Sequence, residues 1–347
     1  ASLRQFERPR PRNAAADPEV LEDVRLAAKQ LRQVAQDVDV QMRRLARGGD
    51  PNEPGYLSNR QLRALRARVE LELGRTYRIQ AEAYWPGSDD SILAASEAER
   101  YLQRMSPTAI GSELWWESRV QLLICLRLKQ DWTAIAAQLR NLSGQRLPKE
   151  TLAAIQAERV RVAIVREDWQ QLKRLVADGR SPDDPKPAEW SLALVEGYLA
   201  LARQARTRQE TEAARDWEQR ATRLVNEQQP KRSAGWLRRV EAQLAAASEN
   251  PSDSTSSPDL QMHIARGLYR QGQYGPAVAA YQKAAAHALA AGQTDEAFRG
   301  TLTAAAIEIE LQHRAAAQQM LRKLSLQLPQ HPRAAEAHFM AIKLAAP

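Results

Sequence analysis

The chain predicts an all-α fold, on three observations. Apolar residues step by three and four along most of its 347 residues. Its 15 glycines and 18 prolines cluster between the periodic segments and leave their interiors clear. Alternating runs of Val, Ile, Thr and aromatic residues, which would read as strands, are absent. A chain this long exceeds the usual single core, and stacked helical pairs are one way to stay folded without one. Nowhere do about 18 apolar residues follow one another, so no membrane span is expected.

Residues 1–16 carry Arg4, Arg8, Arg10 and Arg12 among prolines and alanines without periodicity, and read as a disordered basic tail. Segment 17–105 reads as an amino-terminal helical hairpin and cap. From Asp17, a first helix shows Val20, Val24, Ala27, Leu31, Val34, Val38, Met42 and Leu45 on one face. A second, from Ser58 to about Tyr84, shows Leu62, Leu65, Val69, Leu73 and Tyr77. Gly48-Gly49-Asp50-Pro51 and Pro54-Gly55 break the chain between them, so the two are expected to pack antiparallel. Capping a solenoid built from the later helices is the favoured role of this long hairpin, and a dimer seam is the other.

Residues 106–247 and 259–347 show a recurring pattern. Asp131-Trp132, Asp168-Trp169 and Asp216-Trp217 each stand where an apolar helix is expected to begin, with the aspartate as N-cap. Upstream of the first two lie Leu122, Leu123 and Leu126, then Val160 and Ala163. The pattern is clearest at 264–284, in Ile264, Ala265, Leu268, Gly272, Tyr274, Ala277, Tyr281 and Ala284. Ala265 lets one helix lie close to the next, Gly272 can take the positive φ that ends a helix, and Ala277 suits a crossing point. Tyr274 and Tyr281 are expected to cover that crossing from one face. A last copy at 299–329 has Ala304, Ala305, Ala317, Leu321, Leu324 and Pro329, with Gln312 in place of the turn glycine. Segment 248–258, serine-rich and charge-poor, reads as a mobile linker, and Asp178 to Pro187 as a loop.

In these residues the chain resembles the tetratricopeptide repeat (TPR) family, whose unit of ~34 residues is a helix, a tight turn and a second helix. The resemblance implies an α-α superhelix, a TPR-like solenoid preceded by the long antiparallel hairpin, and a function in holding other proteins. It maps a concave groove onto Glu117, Val120, Ile124, Arg127 and Leu128; Ala154, Ala157, Arg161, Ile164 and Val165; Asp259, Met262, Arg266, Tyr269 and Arg270; and Arg299, Leu302, Ala306, Ile309 and Glu310. Five of these are arginine and three acidic, in a chain where 50 of 347 residues are Lys or Arg, so the implied groove is mainly apolar and not a basic channel. The asparagines that would clamp a terminal carboxylate are absent from the mapped positions.

Chemistry is sparse. There is no phosphate-cradling glycine loop, no HExxH and no cysteine cluster, so no catalytic residue, cofactor or metal is expected. His331 and His338, seven residues apart, are too far apart for ligands on adjacent turns. Cys125, the one cysteine, sits in the apolar run Leu122 to Leu128 and reads as a buried hydrophobe. Trp115-Trp116 differs from the other tryptophans, because neighbours on a helix point about 100° apart and one of them is expected to face outward. The expected partner is therefore a protein, as an amphipathic helix or peptide, held by Ile124, Arg127, Arg161, Met262, Arg266, Tyr269, Arg270, Trp115 or Trp116. The net charge of +8 motivates a nucleic-acid-associated regulator using the arginine-rich amino-terminal half as the alternative. A third reading is an accessory module of a larger enzyme. Ala1 in place of a methionine reads as a processed or trimmed start, so the compartment is left unknown, with cytoplasm and periplasm both open.

Overall fold

The computed structural model describes residues 18–47, 57–104, 111–178, 187–247 and 257–345. Among them stand fifteen α-helices and one short 3₁₀ turn, with no strand. The expected tail at 1–16, the breaks at 48–56 and 179–186, and residues 248–256 lie outside the described residues. No described helix is long and apolar enough to cross a membrane. The chain divides into two compact units between Val162 and Ala163, within the helix Lys149–Val165.

The first unit holds α1 (Pro18–Ala46), α2 (Asn59–Ala83), α3 (Asp89–Gln103), α4 (Glu113–Leu128), α5 (Trp132–Ser143) and most of α6 (Lys149–Val165). Ser58 opens α2 with a capping box: its Oγ accepts from the Gln61 amide at 3.3 Å, and Gln61 Oε1 accepts from the Ser58 amide at 2.8 Å. α1 and α2 form the expected antiparallel hairpin, tied where Arg66 donates to the Ala35 carbonyl at 3.0 Å and pairs with Asp39 at 2.8 Å. The seam keeps Val24, Leu31, Val38, Met42 and Leu45 of the expected stripe and takes Ala28 and Ala35 in place of Ala27 and Val34. Leu21, Val24, Ala28, Leu31, Ala35, Val38, Met42 and Leu45 turn inward, while Val34 is exposed. A strict 3–4 heptad keeps one face on the partner helix, and small Ala28 and Ala35 let α2 approach where Ala27 and Val34 were expected.

The sequence did not set α3 apart, although Ser88 caps it and the Ser91 hydroxyl donates to the buried Ala81 carbonyl at 2.8 Å. Tyr77 of α2 stacks on Tyr101 of α3 with ring centroids 5.6 Å apart. One core joins Leu71, Leu102, Leu122, Leu123, Leu126, Ile135 and Ile155, so α2 and α3 share their interior with α4, α5 and α6. Residues on both sides of 105/106 therefore contribute to this one core. Cys125 lies inside this one, and burial pushes its thiol up to about 12.

The second unit holds α7 (Trp169–Asp178), α8 (Ala188–Thr207), α9 (Thr211–Gln228), the 3₁₀ turn Gln229–Lys231, α10 (Ala234–Ala247), α11 (Pro258–Arg270), α12 (Tyr274–Ala290), α13 (Thr294–Glu310), α14 (Arg314–Gln327) and α15 (Ala334–Ala345). Neighbours in sequence pack on one another, α8 on α9 and α10 through α15 in succession. Ser257 and Pro258, placed in the linker by sequence, open α11: the Ser257 Oγ accepts from the Leu260 amide at 3.4 Å, and proline takes the first helical position.

One turn geometry recurs. Gln130, Glu167, Gln209, Gly272, Gly292 and Gln312 all have φ between 54° and 74°. At each, the next amide donates back to the carbonyl five residues earlier, as Asp131 does to Leu126 at 3.0 Å and His313 to Glu308 at 2.8 Å. This is the Schellman closure, which satisfies the last carbonyls of one helix while aiming the chain into the next. Asp131 and Asp168 then act as the expected N-caps, each Oδ1 accepting an amide at 3.0 Å. Gln312 makes the turn without glycine. The third Asp-Trp pair departs from the pattern: α9 begins at Thr211, after the turn at Gln209, so Asp216 and Trp217 sit inside the helix and Asp216 pairs with Arg220 at 2.6 Å. Tyr281 is buried at the α11–α12 crossing, but Tyr274, at the helix start, is 40% exposed. The turns Gln130, Glu167 and Gln209 are 37 and 42 residues apart, and Gly272 and Gln312 are 40 apart, longer than the ~34 residues expected.

Candidate partner-binding surface

In the first unit, Ser112 caps α4 by accepting the Trp115 amide at 3.2 Å. The two tryptophans diverge as helical geometry requires. Trp116 turns inward, where its indole N–H donates to the Gly111 carbonyl at 3.1 Å and its ring packs in the core. Trp115 is half-buried, edge-on to Trp116 at 4.5 Å, with the Arg119 guanidinium 5.2 Å above its ring. Ile124 is half-buried further along the helix.

Arg127 and Arg161 do not stand free. Glu158 of α6 is buried and accepts from Arg127 at 2.8 Å and from Arg161 at 2.6 Å. Burial alone would raise its carboxyl, but the two guanidiniums outweigh it and hold Glu158 at about 2. The two arginines are the counter-charge of a buried acid, which removes them from the expected set of open rim charges.

The second unit repeats this device between α10 and α11. Gly267 lets the helices touch backbone to backbone: a Cβ there would lie 2.8 Å from the Glu241 carbonyl carbon and 2.9 Å from the Ala245 Cβ. Glu241, fully buried, pairs with Arg270, with Arg266 at 3.7 Å and with His263 Nδ1 at 3.2 Å. Met262 is also buried, its methyl 3.2 Å from where a Cβ on Gly300 would stand, so it packs α11 against α13 and does not line an open groove. The Tyr269 hydroxyl donates to Glu310 of α13 at 3.0 Å, and its ring meets Tyr274 edge-on at 5.6 Å. Glu158, Glu241 and Gly267 escaped the sequence reading. For the two glutamates the only signal is an acid within an apolar helical run, as in Ala157-Glu158 and Val240-Glu241.

Burial, and next the Arg266 charge, push the His263 imidazole down to about 4. The folded state therefore resists protonation that the unfolded chain accepts near 6.5. The stabilisation is complete above that pH and is lost as pH falls toward 4. A thermal-unfolding series from pH 7.5 to 4 is expected to show a falling Tm, with the slope between pH 6.5 and 4 reduced in His263→Gln.

What remains open lies on the first helices of the second unit. Arg266 and Tyr269 are half-buried and Arg270 exposed on α11; on α13, Arg299, Ala306 and Glu310 are exposed, with Leu302 and Ile309 half-buried between them. His331 stacks flat on Phe298 at 4.0 Å and bonds Asp295 at 3.0 Å, a helix-end role, while His338 is exposed. No group of three or more His, Cys, Asp or Glu among the described residues is placed to hold a metal ion. No protein-family model matches this chain, and no curated protein matches it.

Proposed function

We propose that the chain is a TPR-like solenoid acting as a non-enzymatic protein-interaction scaffold, which takes an amphipathic helix or peptide across the α11–α13 face of its second unit. The observation that carries this reading is the Tyr269–Glu310 bond, which ties the two helices side by side and leaves Leu302, Ala306 and Ile309 as an apolar strip between Arg299 and Glu310. A helix with its own apolar stripe fits such a strip, and charges at both ends set its direction. The nucleic-acid alternative is less favoured, because four of the five mapped arginines face a buried glutamate and so leave no continuous track for phosphates. Trp115 and Ile124 remain secondary contact residues on the first unit.

Ala306→Glu tests the reading, since residue 306 is exposed within a helix and the change is compatible with helical backbone. Affinity capture from a lysate of the source cells, quantified by mass spectrometry, is expected to recover a protein with the wild-type chain and about tenfold less of it with Ala306→Glu, at unchanged circular dichroism. Equal recovery by both chains would place the contact elsewhere.

A further inference from the structure

The last described helix is apolar on two opposite faces. Inward, Ala334, Ala337 and Ala341 are buried, and Met340 and Leu344 pack on a core that includes Leu321 and Leu324. Outward, Ala335, Phe339 and Ile342 follow the i, i+4, i+7 spacing of a single stripe, with Phe339 66% and Ile342 58% exposed. An exposed apolar stripe on a helix whose opposite face is already packed is the pattern of a surface that a further element covers.

The flanks of the stripe identify the cover. Glu336 and Lys343, seven residues apart, lie along one side; His338 and Ala345 lie along the other. When two such helices meet antiparallel, like flanks face each other in reversed order. A two-fold axis between Phe339 and Met340 then sets Glu336 against the second copy's Lys343 and Lys343 against its Glu336, while a parallel pairing would turn this flank to the His338 and Ala345 flank of the other copy and bring no opposite charges together. Lys343 has no acidic partner among the described residues of its own chain. Glu336 accepts from Arg333 at 2.7 and 3.0 Å and retains lone pairs for a lysine. Self-complementarity about a two-fold is what an isologous interface requires, and a foreign helix would need no such symmetry. We propose that the outer face of α15 is a self-association surface whose occupant is α15 of a second copy of this chain, packed antiparallel.

The test is the mass of the full chain by light scattering and sedimentation over a concentration series. The mass is expected to rise from 38.9 kDa toward twice that value. Phe339→Asp is expected to hold the chain as a monomer at unchanged helicity. Lys343→Glu and Glu336→Lys are each expected to weaken association by roughly tenfold, because two like-charge contacts replace two attractive ones. The double variant carrying both changes restores opposite charges and is expected to return to near wild-type association. A wild-type monomer at every concentration, a dimer indifferent to Phe339→Asp, or a double variant no better than the singles would each overturn the proposal. The first of these outcomes would assign the stripe to a different occupant.

Discussion

Gly267→Val is expected to lower the stability of the second unit by about 3 kcal/mol or more, read as a drop in Tm and in the denaturant midpoint. The added side chain meets main chain, since its Cβ would lie 2.8 Å from the Glu241 carbonyl carbon and closer to the oxygen, and main chain cannot rotate away. Relief would have to come from separating α10 from α11, which also pulls Arg270, Arg266 and His263 from the Glu241 carboxylate. Gly272→Ala provides the control. It has open space around its Cβ and only the strain of φ 74°, so a loss of about 1 kcal/mol is expected. If Gly267→Val melts no lower than this control, α10 and α11 do not touch as described.

Glu158→Ala is expected to cost the first unit about 3–5 kcal/mol, because it strands two mostly buried guanidiniums against each other. The Arg127 and Arg161 side chains are 16% and 18% exposed, too little for water to replace the lost carboxylate. Replacing all three residues by apolar side chains of similar volume is expected to recover most of that loss, since the desolvation of the charges disappears with them. The same triad adds an acid limb to the stability curve. Glu158 is held at about 2 against an ordinary 4.5, so its contribution is intact above 4.5 and disappears as pH falls toward 2. That window lies below the one set by His263, and Glu158→Gln should remove this lower limb alone.

The helices were legible in the sequence where local chemistry decides them. Ser58 with Gln61, Asp131 and Asp168 announce helix starts through side chains that accept amides a few residues away. Asp216-Trp217 misled because the true turn uses Gln209, a residue without glycine's signature, held at φ 62° by the helices it joins. The candidate surface was much less legible. Arg127 looks like a rim charge until Glu158, 31 residues on, is brought beneath it. Met262 looks like a groove residue until α13 presents Gly300 to its methyl. Both are tertiary facts, set by which faces meet and not by spacing along one helix.

The Schellman turns bear on how the chain acquires its fold. Each closes through hydrogen bonds that span at most five residues, and those at Gln130, Gln209, Gly272, Gly292 and Gln312 join helices that pack directly on one another. Most contacts are therefore short in sequence, a topology whose loop-closure entropy is small and whose folding is correspondingly fast. A hairpin such as α11–α12 can nucleate wherever it first forms and recruit its neighbours in either direction. The converse holds under load. Tension on the ends of the second unit should draw it out one hairpin at a time, as a series of small force steps instead of a single rupture.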